Sequence, residues 1–310
     1  MKKISIVIPT YNEEKNVRLI SEEIKKVLQE SCGSYDYEII FIDNFSNDKT
    51  RDELVLLCHS DKHIKAIFNA RNFGQFNSPY YGLTQSTGDC TILIVADFQD
   101  PVEMIKDFVR EWENGYKIVI GIKVKSKENG IIYFFRSVYY ALIKKMSQVE
   151  QIQHFTGFGL YDKEFIKVLQ GLEDPTPYLR GIVAELGFAR KELKYTQQKR
   201  RHGKSSNNFF KLYDAAMVGF TSYTKVGLRM ATFIGFFFSI VSMLITLVYI
   251  GLKLLYWNEF NAGITPIIVG IFFFSSLQLI FLGVLGEYVL SINQRVMKRP
   301  LVIEEKRINF

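Results

Sequence analysis

The first 122 residues alternate short β-branched runs with stretches whose apolar residues recur at helical spacing. In the stretch after the first run, for example, apolar residues stand at Val17, Ile20 and Ile24. Such alternation is typical of an α/β protein in which a mostly parallel, doubly wound sheet carries helices on both faces. The runs predict strands at residues 4–8, 38–42, 64–68, 91–95 and 118–122.

The fourth predicted strand is the most informative about a ligand site. Its apolar residues 91–95 lead directly into residues 96–101, which read Ala-Asp-Phe-Gln-Asp-Pro. A buried parallel strand that ends in carboxylates places them at the carboxyl edge of the sheet, where open α/β folds bind ligands. The ends of the first two strands, at residues 9–11 and 43–44, should line the same crevice. The pattern therefore predicts a site for a metal ion or a phosphate.

Two long segments near the C-terminal end carry no charged residue, at residues 230–252 and 264–286. Each is long enough to cross a hydrocarbon core of about 30 Å. Basic residues flank the pair on its outer ends, at Lys225, Arg229, Arg295, Lys298 and Arg299. By the positive-inside rule, both termini should be cytoplasmic, with a short external hairpin between two transmembrane helices.

We therefore expect an α/β domain, a membrane-interface helix, a transmembrane hairpin and a cytoplasmic tail, at residues 1–206, 207–229, 230–290 and 291–310. The predicted location is the inner (plasma) membrane, with the α/β domain on its cytoplasmic face. An apolar face at residues 131–146 suits either a core helix or an interfacial helix. The net charge of +7 then indicates contact with the anionic headgroups of a lipid bilayer and not with nucleic acid.

Asp97 is the strongest candidate for a metal ligand. A hard divalent cation, Mg²⁺ or Mn²⁺, takes carboxylate oxygens together with substrate phosphate oxygens, so one protein carboxylate can suffice. Bound there, the cation would neutralise charge on a departing diphosphate. Gln99 could hydrogen-bond a donor sugar or an acceptor. Asp100 could serve the site or cap the helix that follows.

The other strand ends suggest a nucleotide site. Asp43 is placed to accept hydrogen bonds from a nucleobase or ribose, although it could instead form a turn. Arg71 could pair with a diphosphate through its fork of donors. The first strand end offers further polar and aromatic groups, among them Pro9, Tyr11 and Glu13.

A basic loop at residues 199–206, Lys-Arg-Arg-His-Gly-Lys-Ser-Ser, lies between the α/β domain and the predicted membrane segments. An isolated charge run of this kind is usually a solvated loop or a headgroup contact. Its glycine and hydroxyl residues, and its position, favour a phosphate clamp. The residues proposed for an acceptor phosphate are Arg200, Arg201, Lys204 and Ser205.

In this order, the motifs resemble those of family 2 glycosyltransferases with the GT-A fold. They are most similar to polyprenyl-phosphate glycosyltransferases, such as dolichyl-phosphate mannose synthases and bactoprenol glucosyltransferases. The matching segments are residues 8–14, 43–46, 71–74, 96–101, 156–160, 180–181 and 200–205. With the two apolar spans, the resemblance covers essentially the whole chain.

The resemblance implies inverting transfer of a sugar from a nucleotide-diphosphate sugar, with a UDP-sugar favoured, to undecaprenyl phosphate. By motif position, Glu13 and Asp43 would hold the nucleotide, and Asp97 would hold Mg²⁺ or Mn²⁺. Arg200 and Lys204 would meet the lipid phosphate or the donor diphosphate. The implied catalytic set comprises Asp97, Gln99, Arg200 and Lys204. Whether the chain forms a homo-oligomer is left open.

Two positions depart from the family's pattern. Val95 stands where the family usually has an Asp two residues before the metal ligand, a loss that would weaken nucleotide or metal binding. Phe158 stands where bacterial members commonly have an Asp, a candidate base, after Thr-Gly. A lipid monophosphate is largely ionised at neutral pH, because its second pKa is about 6, whereas a sugar hydroxyl acceptor needs a base. The missing base therefore favours a phosphate acceptor.

Two alternatives remain open. One is a glycosyltransferase that acts on another membrane acceptor, such as a lipid or a nascent glycan. The other is a non-catalytic membrane scaffold derived from this family, which the changes at residues 95 and 158 would support. The first is disfavoured by the missing base. The second is disfavoured by the presence of Asp97, Gln99, Arg200 and Lys204.

Overall fold

The computed structural model describes residues 1–125, 152–201, 226–256, 264–297 and 299–310, together with residues 213, 217–218 and 220–221. The strands are β1 (Lys3–Thr10), β2 (Asp36–Asp43), β3 (Ile64–Asn69), β4 (Cys90–Leu93), β5 (Ile118–Lys125), β6 (Phe155–Asp162), β7 (Arg190–Thr196) and β8 (Glu304–Ile308). The helices are α1 (Val17–Ser31), α2 (Thr50–Ser60), α3 (Gly74–Thr84), α4 (Met104–Glu113), α5 (Lys163–Gly171), α6 (Leu179–Glu185), α7 (Val226–Leu255) and α8 (Ile264–Val296).

The strands form one sheet in the order β7-β5-β6-β4-β1-β2-β3-β8. Strands β4, β1, β2 and β3 are parallel neighbours, as the alternation of strands and helices predicts. Strands β6 and β8 run antiparallel to the strands beside them, so the sheet is mixed. The predicted α/β class is confirmed.

The sheet buries a separate apolar layer on each face. Strand β1 shows the alternation, since Ile4, Ile6 and Ile8 pack in one layer and Val7 packs in the other. The first layer lies beneath α1, α2 and α4, and the second lies beneath α3, α5 and α6. Because a parallel sheet must be covered on both faces, the helices divide between them.

Strand β6 lies between β4 and β5, and the sequence pattern does not predict it. Gly157 and Gly159 weaken its strand signal, because glycine has no side chain to pack and little preference for strands. A Cβ at position 159 would lie 2.6 Å from the carbonyl oxygen of Val119 in β5, so glycine permits the close approach of these two strands. Strand β6 therefore separates β5 from β4.

After its last long helix, the chain returns to the sheet. Strand β8 pairs antiparallel with β3, with Ile308 opposite Ala66. Asn309 then donates from Nδ2 to the carbonyl oxygen of Cys58 at 2.7 Å and to that of Ile64 at 2.8 Å. Part of the segment predicted as a C-terminal tail is thus an edge strand of the α/β sheet.

Helices α7 and α8 are long and apolar enough to cross a membrane, judged by length and composition. The windows that meet this criterion are Leu228–Leu252 and Gly270–Val296. The helices meet at Phe238, whose ring centroid lies 5.5 Å from that of Phe273. The predicted interfacial segment at 131–146 lies outside the described residues, as does most of 207–225.

A carboxylate is buried at the end of the sheet opposite the predicted ligand edge. Glu38 in β2 is 1% exposed, and its donors are Ser5 Oγ at 2.6 Å, Thr87 N at 2.8 Å, Lys65 Nζ at 2.8 Å and Lys3 Nζ at 2.9 Å. Burial opposes ionisation of this carboxyl, but these donors outweigh burial and lower its pKa from 4.5 to about 2. The charged form therefore stabilises the folded domain.

Replacing Glu38 with Gln should lower the free energy of unfolding at pH 7 by roughly 3 kcal/mol, because each pKa unit is worth about 1.4 kcal/mol. Since the pKa is lowered on folding, the contribution is complete above about pH 4.5 and is lost as the pH falls toward about 2. Urea unfolding followed by Trp fluorescence should show that the free energies of unfolding of the two proteins converge over that pH range.

Glu30 on α1 provides the matched control, since its side chain is 63% exposed. Glu30→Gln should change the free energy of unfolding by no more than about 0.5 kcal/mol at any pH. If the loss of unfolding free energy in Glu38→Gln did not diminish in acid, the electrostatic explanation would be contradicted.

Candidate active site

The turns at the carboxyl edge of the sheet hold an uncommon backbone conformation. Asn12, Phe45 and Phe98 follow β1, β2 and β4, with φ values of 57°, 67° and 61°. This region favours glycine, so other residues occupy it only where their surroundings hold them. Asn12 N donates to Ser46 Oγ at 2.9 Å, and Asn12 Oδ1 accepts from Asn47 N at 2.8 Å. The turns after β1 and β2 therefore brace each other.

A cleft of about 360 Å³ opens beside these turns. One wall contains the ends of β1, β2 and β4, and the other contains the first turns of α3 and the residues that lead into α6. The predicted site residues that line it are Pro9, Asp97, Gln99 and Arg200. Lys204 and Ser205 lie outside the described residues.

Asp97 and Arg200 form an ion pair in the cleft. Arg200 Nη2 lies 2.8 Å from Asp97 Oδ2, and Arg200 Nη1 lies 3.6 Å from Glu13 Oε1. Asp97 is 5% exposed and Glu13 is 8% exposed, so both carboxylates share one guanidinium where little water reaches them. Burial raises the pKa of Glu13, although a hydrogen bond from Asn16 and the charge of Arg200 oppose the rise.

The segment after β7 reaches the site because its backbone pairs with the Asp97 turn. Gln198 N donates to Gln99 O at 3.1 Å, and Arg201 N donates to Asp97 O at 3.4 Å. Arg200 lies between these two anchors, which explains why its side chain meets the Asp97 carboxylate. The sequence alone does not indicate this pairing.

Asp100 is buried beside the same turn and accepts a hydrogen bond from Tyr195 Oη at 2.7 Å. Burial raises its pKa to about 6; the Tyr195 hydrogen bond opposes the rise, and the charge of Asp97 adds to it. Helix α4 begins at Met104, with Glu103 at the N-cap and no side-chain cap. The helix-capping alternative for Asp100 is therefore wrong, and this carboxylate lines the cleft.

Asp43 lies beneath the cleft and is fully buried. Its carboxylate accepts from Ser46 N at 3.1 Å and from Ser46 Oγ, and Arg51 Nε lies 3.3 Å away. Burial raises its pKa, while the Ser46 hydrogen bonds and the charge of Arg51 lower it. Asp43 therefore forms the turn after β2, and its neighbour Asn44 is the residue that reaches the cleft.

Asn44 joins two motifs that are separate in the sequence. Its Nδ2 donates to Asn72 Oδ1 at 3.0 Å and to Gly74 O at 3.2 Å, and its Oδ1 accepts from Phe73 N at 2.8 Å. These bonds hold the loop after β3 against the end of β2. Arg71 in that loop is exposed, with its guanidinium carbon 4.3 Å from the Phe73 ring centroid.

Tyr11, Arg71 and Arg201 are not among the described residues that line the cleft. Arg201 Nη1 lies 2.6 Å from Glu23 Oε1 on α1, and its guanidinium carbon lies 4.0 Å from the Phe98 ring centroid. Arg201 therefore braces the segment after β7 against α1.

The two departures from the family's pattern have different surroundings. Val95 lines the cleft, so an apolar group occupies the position of the missing carboxylate. The ring of Phe158 packs 4.8 Å from that of Phe108 and 5.4 Å from that of Tyr195, measured between centroids. Gly121 makes room for it, since a Cβ there would lie 2.7 Å from Phe158 Cδ1. Residue 158 therefore borders the cleft with a buried apolar ring and supplies no base.

The sequence pattern does not reveal the second wall of the cleft. This wall includes Phe76, Pro79, Pro177, Leu179 and Arg180, next to Thr156 and Gly157 of β6. Its residues come from three separate segments, in α3, in β6 and in the residues that lead into α6. The signals in the sequence are the matched motifs at residues 156–160 and 180–181.

The cleft offers a partial set of oxygen ligands for a divalent cation. Asp97 contributes a carboxylate, which accepts from Gln99 N at 3.1 Å and pairs with Arg200. Gln99 also lines the cleft, and its amide oxygen accepts from Gln197 Nε2 at 3.2 Å. Within the part of the chain that the structure describes, no group of three or more His, Cys, Asp or Glu side chains forms a metal site. Mg²⁺ and Mn²⁺ accept few protein ligands where phosphate oxygens and water complete the shell. These residues therefore fit a cation that arrives with a diphosphate.

Comparison with known proteins supports an enzymatic site. Residues 5–187 match the family described as glycosyl transferase family 2. An uncharacterized glycosyltransferase of Synechocystis is 30% identical over 302 residues, which are 97% of this chain and 94% of that protein. The SfII prophage-derived bactoprenol glucosyl transferase of Shigella flexneri is 30% identical over 305 residues, 98% of each chain.

Among solved structures, glucosyl-3-phosphoglycerate synthase from Mycobacterium tuberculosis, in complex with Mn²⁺, UDP and phosphoglyceric acid, is 15% identical to this chain. The alignment covers 69% of this chain and 75% of that one, with a TM-score of 0.46. The family match spans every strand from β1 to β6 and every helix from α1 to α6. This chain therefore belongs to glycosyl transferase family 2 and is a glycosyltransferase.

Proposed function

We propose that this glycosyltransferase moves a sugar from a nucleotide-diphosphate sugar, with a UDP-sugar favoured, to undecaprenyl phosphate at a membrane surface. The observation that carries the proposal is the apolar ring of Phe158, which borders the cleft at the position where the family resemblance places a base. A phosphate acceptor is already ionised near neutral pH and needs no base. The relative named as a bactoprenol glucosyl transferase supports the same acceptor.

The nucleotide sugar would lie along the wall formed by the ends of β1 and β2. Pro9 and Asn44 line this side of the cleft. Asp43 would act by holding the turn beneath the nucleotide, since both of its oxygens already accept hydrogen bonds from Ser46. Further proposed contacts to the nucleotide come from Tyr11, Glu13 and Arg71.

Asp97 would hold Mg²⁺ or Mn²⁺, which when bound neutralises charge on the leaving diphosphate. Arg200 pairs with Asp97 and supplies protein donors for phosphate oxygens at the same place. Gln99 would hydrogen-bond the donor sugar or the acceptor. Arg201, Lys204 and Ser205 remain proposed, with Arg200, for the acceptor phosphate.

In the reaction, an oxygen of the lipid phosphate attacks the anomeric carbon from the face opposite the diphosphate. The new carbon–oxygen bond forms as the bond to the diphosphate oxygen breaks, and the leaving nucleoside diphosphate keeps the electron pair. The configuration at the anomeric carbon inverts. Because the ionised phosphate has no proton to lose, the side chains act by positioning and by stabilising charge.

We further propose that the catalytic domain lies on the cytoplasmic face of the inner (plasma) membrane. Strand β8 follows α8 and joins the sheet that contains β1. If α7 and α8 cross the bilayer, both of their outer ends must then lie on the same side. The basic residues Lys225, Arg229 and Arg295 at those ends favour the cytoplasmic side.

The purified full chain in detergent should convert undecaprenyl phosphate and one member of a panel of labelled UDP- and GDP-sugars to a glycolipid when Mg²⁺ or Mn²⁺ is present. Thin-layer chromatography and mass spectrometry would identify the product. Transfer to another lipid or glycan, but not to undecaprenyl phosphate, would contradict the proposed acceptor. Nucleotide binding without transfer from any donor would favour the scaffold alternative.

Asp97→Asn should lower kcat at least about 100-fold, because the neutral amide cannot match the charge stabilisation that the carboxylate provides with its cation. Initial rates at several Mn²⁺ concentrations would measure the loss. Asp107→Asn on α4 is the matched control, since Asp107 pairs with Arg110 at 3.1 Å on the helix surface. Near-normal turnover in the Asp97 variant would refute the metal assignment.

Tyr195→Phe should lower kcat by about 10-fold and leave the affinity for UDP within about twofold, because the lost hydroxyl holds Asp100 and the segment that carries Arg200. Its hydrogen bond also favours the ionised form of Asp100, so the acid limb of the pH–rate profile should move to higher pH. Tyr37→Phe, at the other end of the sheet, should change neither kcat nor the pH–rate profile. An unshifted pH–rate profile would show that ionisation of Asp100 does not set the acid limb.

A further inference from the structure

The second wall of the cleft differs in character from the wall assigned to the nucleotide. Phe76, Pro79, Pro177 and Leu179 give it an apolar surface, and Arg180 adds a positive charge. The rings of Phe76 and Tyr178 pack edge to face, with centroids 5.7 Å apart, which holds α3 against the residues before α6. An apolar surface with a single cation suits a ligand that has a hydrocarbon part and an anionic head.

The charges in the cleft single out Arg180. Arg200 pairs with Asp97, and Arg201 pairs with Glu23. Arg180 is partly buried, and no carboxylate among the described residues forms an ion pair with it. A guanidinium in this setting gains most from a phosphate, whose oxygens accept two parallel hydrogen bonds from its fork of donors.

The same wall is connected to the helices that are long enough to cross a membrane. Arg295 Nη1 in α8 lies 3.4 Å from Asp174 Oδ2, in the loop that leads to Pro177 and Arg180. Asn77 in α3 donates from Nδ2 to Pro175 O at 3.3 Å. The end of α8 therefore contacts the loop that leads to the apolar wall.

We propose that Arg180 binds the phosphate of the lipid acceptor and that Phe76, Pro79 and Pro177 contact its first apolar carbons. This inference rests on the proposed function, because it names the acceptor subsite of the same cleft. The sugar donor and the acceptor then approach Asp97 from opposite walls, which is the arrangement that in-line displacement requires.

Arg180→Gln should raise the KM for undecaprenyl phosphate at least tenfold while the KM for the sugar donor stays within twofold. Arg180→Lys should recover part of the loss, because lysine keeps the charge but not the paired donors. Arg190→Gln is the matched control, since Arg190 pairs with Glu192 at 3.3 Å on β7. A raised KM for the donor, or a fall in kcat with both KM values unchanged, would overturn the assignment.

Direct binding separates this inference from the proposed function. Calorimetry on the full chain in detergent would measure the binding affinities of farnesyl phosphate, farnesol and UDP in turn. We expect Arg180→Gln to lower the affinity for farnesyl phosphate at least tenfold. The affinity for UDP should be unchanged, which also shows that the variant is folded. Equal farnesyl phosphate affinity in wild type, Gln and Lys variants would refute the subsite. Binding that depends on Arg180 without any sugar transfer would refute only the proposed function.

Discussion

The insertion of β6 between β4 and β5 determines where every later part of the catalytic domain lies. It depends on a close contact between backbones, because Gly159 leaves no Cβ to meet the carbonyl oxygen of Val119 at 2.6 Å. Strand β5 is thereby displaced one position along the sheet, and β7 pairs with its outer edge. The chain that leaves β7 then runs along the Asp97 turn, which is how Arg200 comes to face a carboxylate more than 100 residues earlier in the sequence.

The cleft that results has a clear division of charge. Near the ends of β1 and β4, Glu13 and Asp97 share Arg200, and Asp100 is buried against Tyr195. Each charge there is matched by a donor or a counter-ion, so a diphosphate with its cation can enter by exchanging partners and not by creating new buried charge. The other wall combines apolar side chains with Gln75, Ser78 and Thr156, and Arg180 gives it a positive charge.

The C-terminal strand connects the sheet to the two long apolar helices. Strand β8 pairs with β3, and Asn309 caps carbonyl groups at the end of α2 and the start of β3. Because β8 joins the sheet shortly after α8, the outer end of α8 is tied to the domain. The ion pair between Arg295 and Asp174 adds a second connection, in the loop that leads to the cleft residues Pro177 and Arg180.

The sequence by itself determined the α/β class, the two-sided winding of the parallel strands and the two long apolar helices. It also singled out Asp97, Gln99 and Arg200, which the fold brings to one cleft. These follow from local signals: periodicity, uncharged length and motifs at strand ends. Tertiary structure alone decided that Asp43 forms a turn while Asn44 reaches the cleft, that Asp100 pairs with Tyr195, and that Arg180 belongs to the site. The Asp43 turn closes locally through Ser46, but the other outcomes depend on segments that are far apart in the chain. Strand β6 contains two glycines and β7 contains charged residues, so neither has the local pattern that predicts a strand.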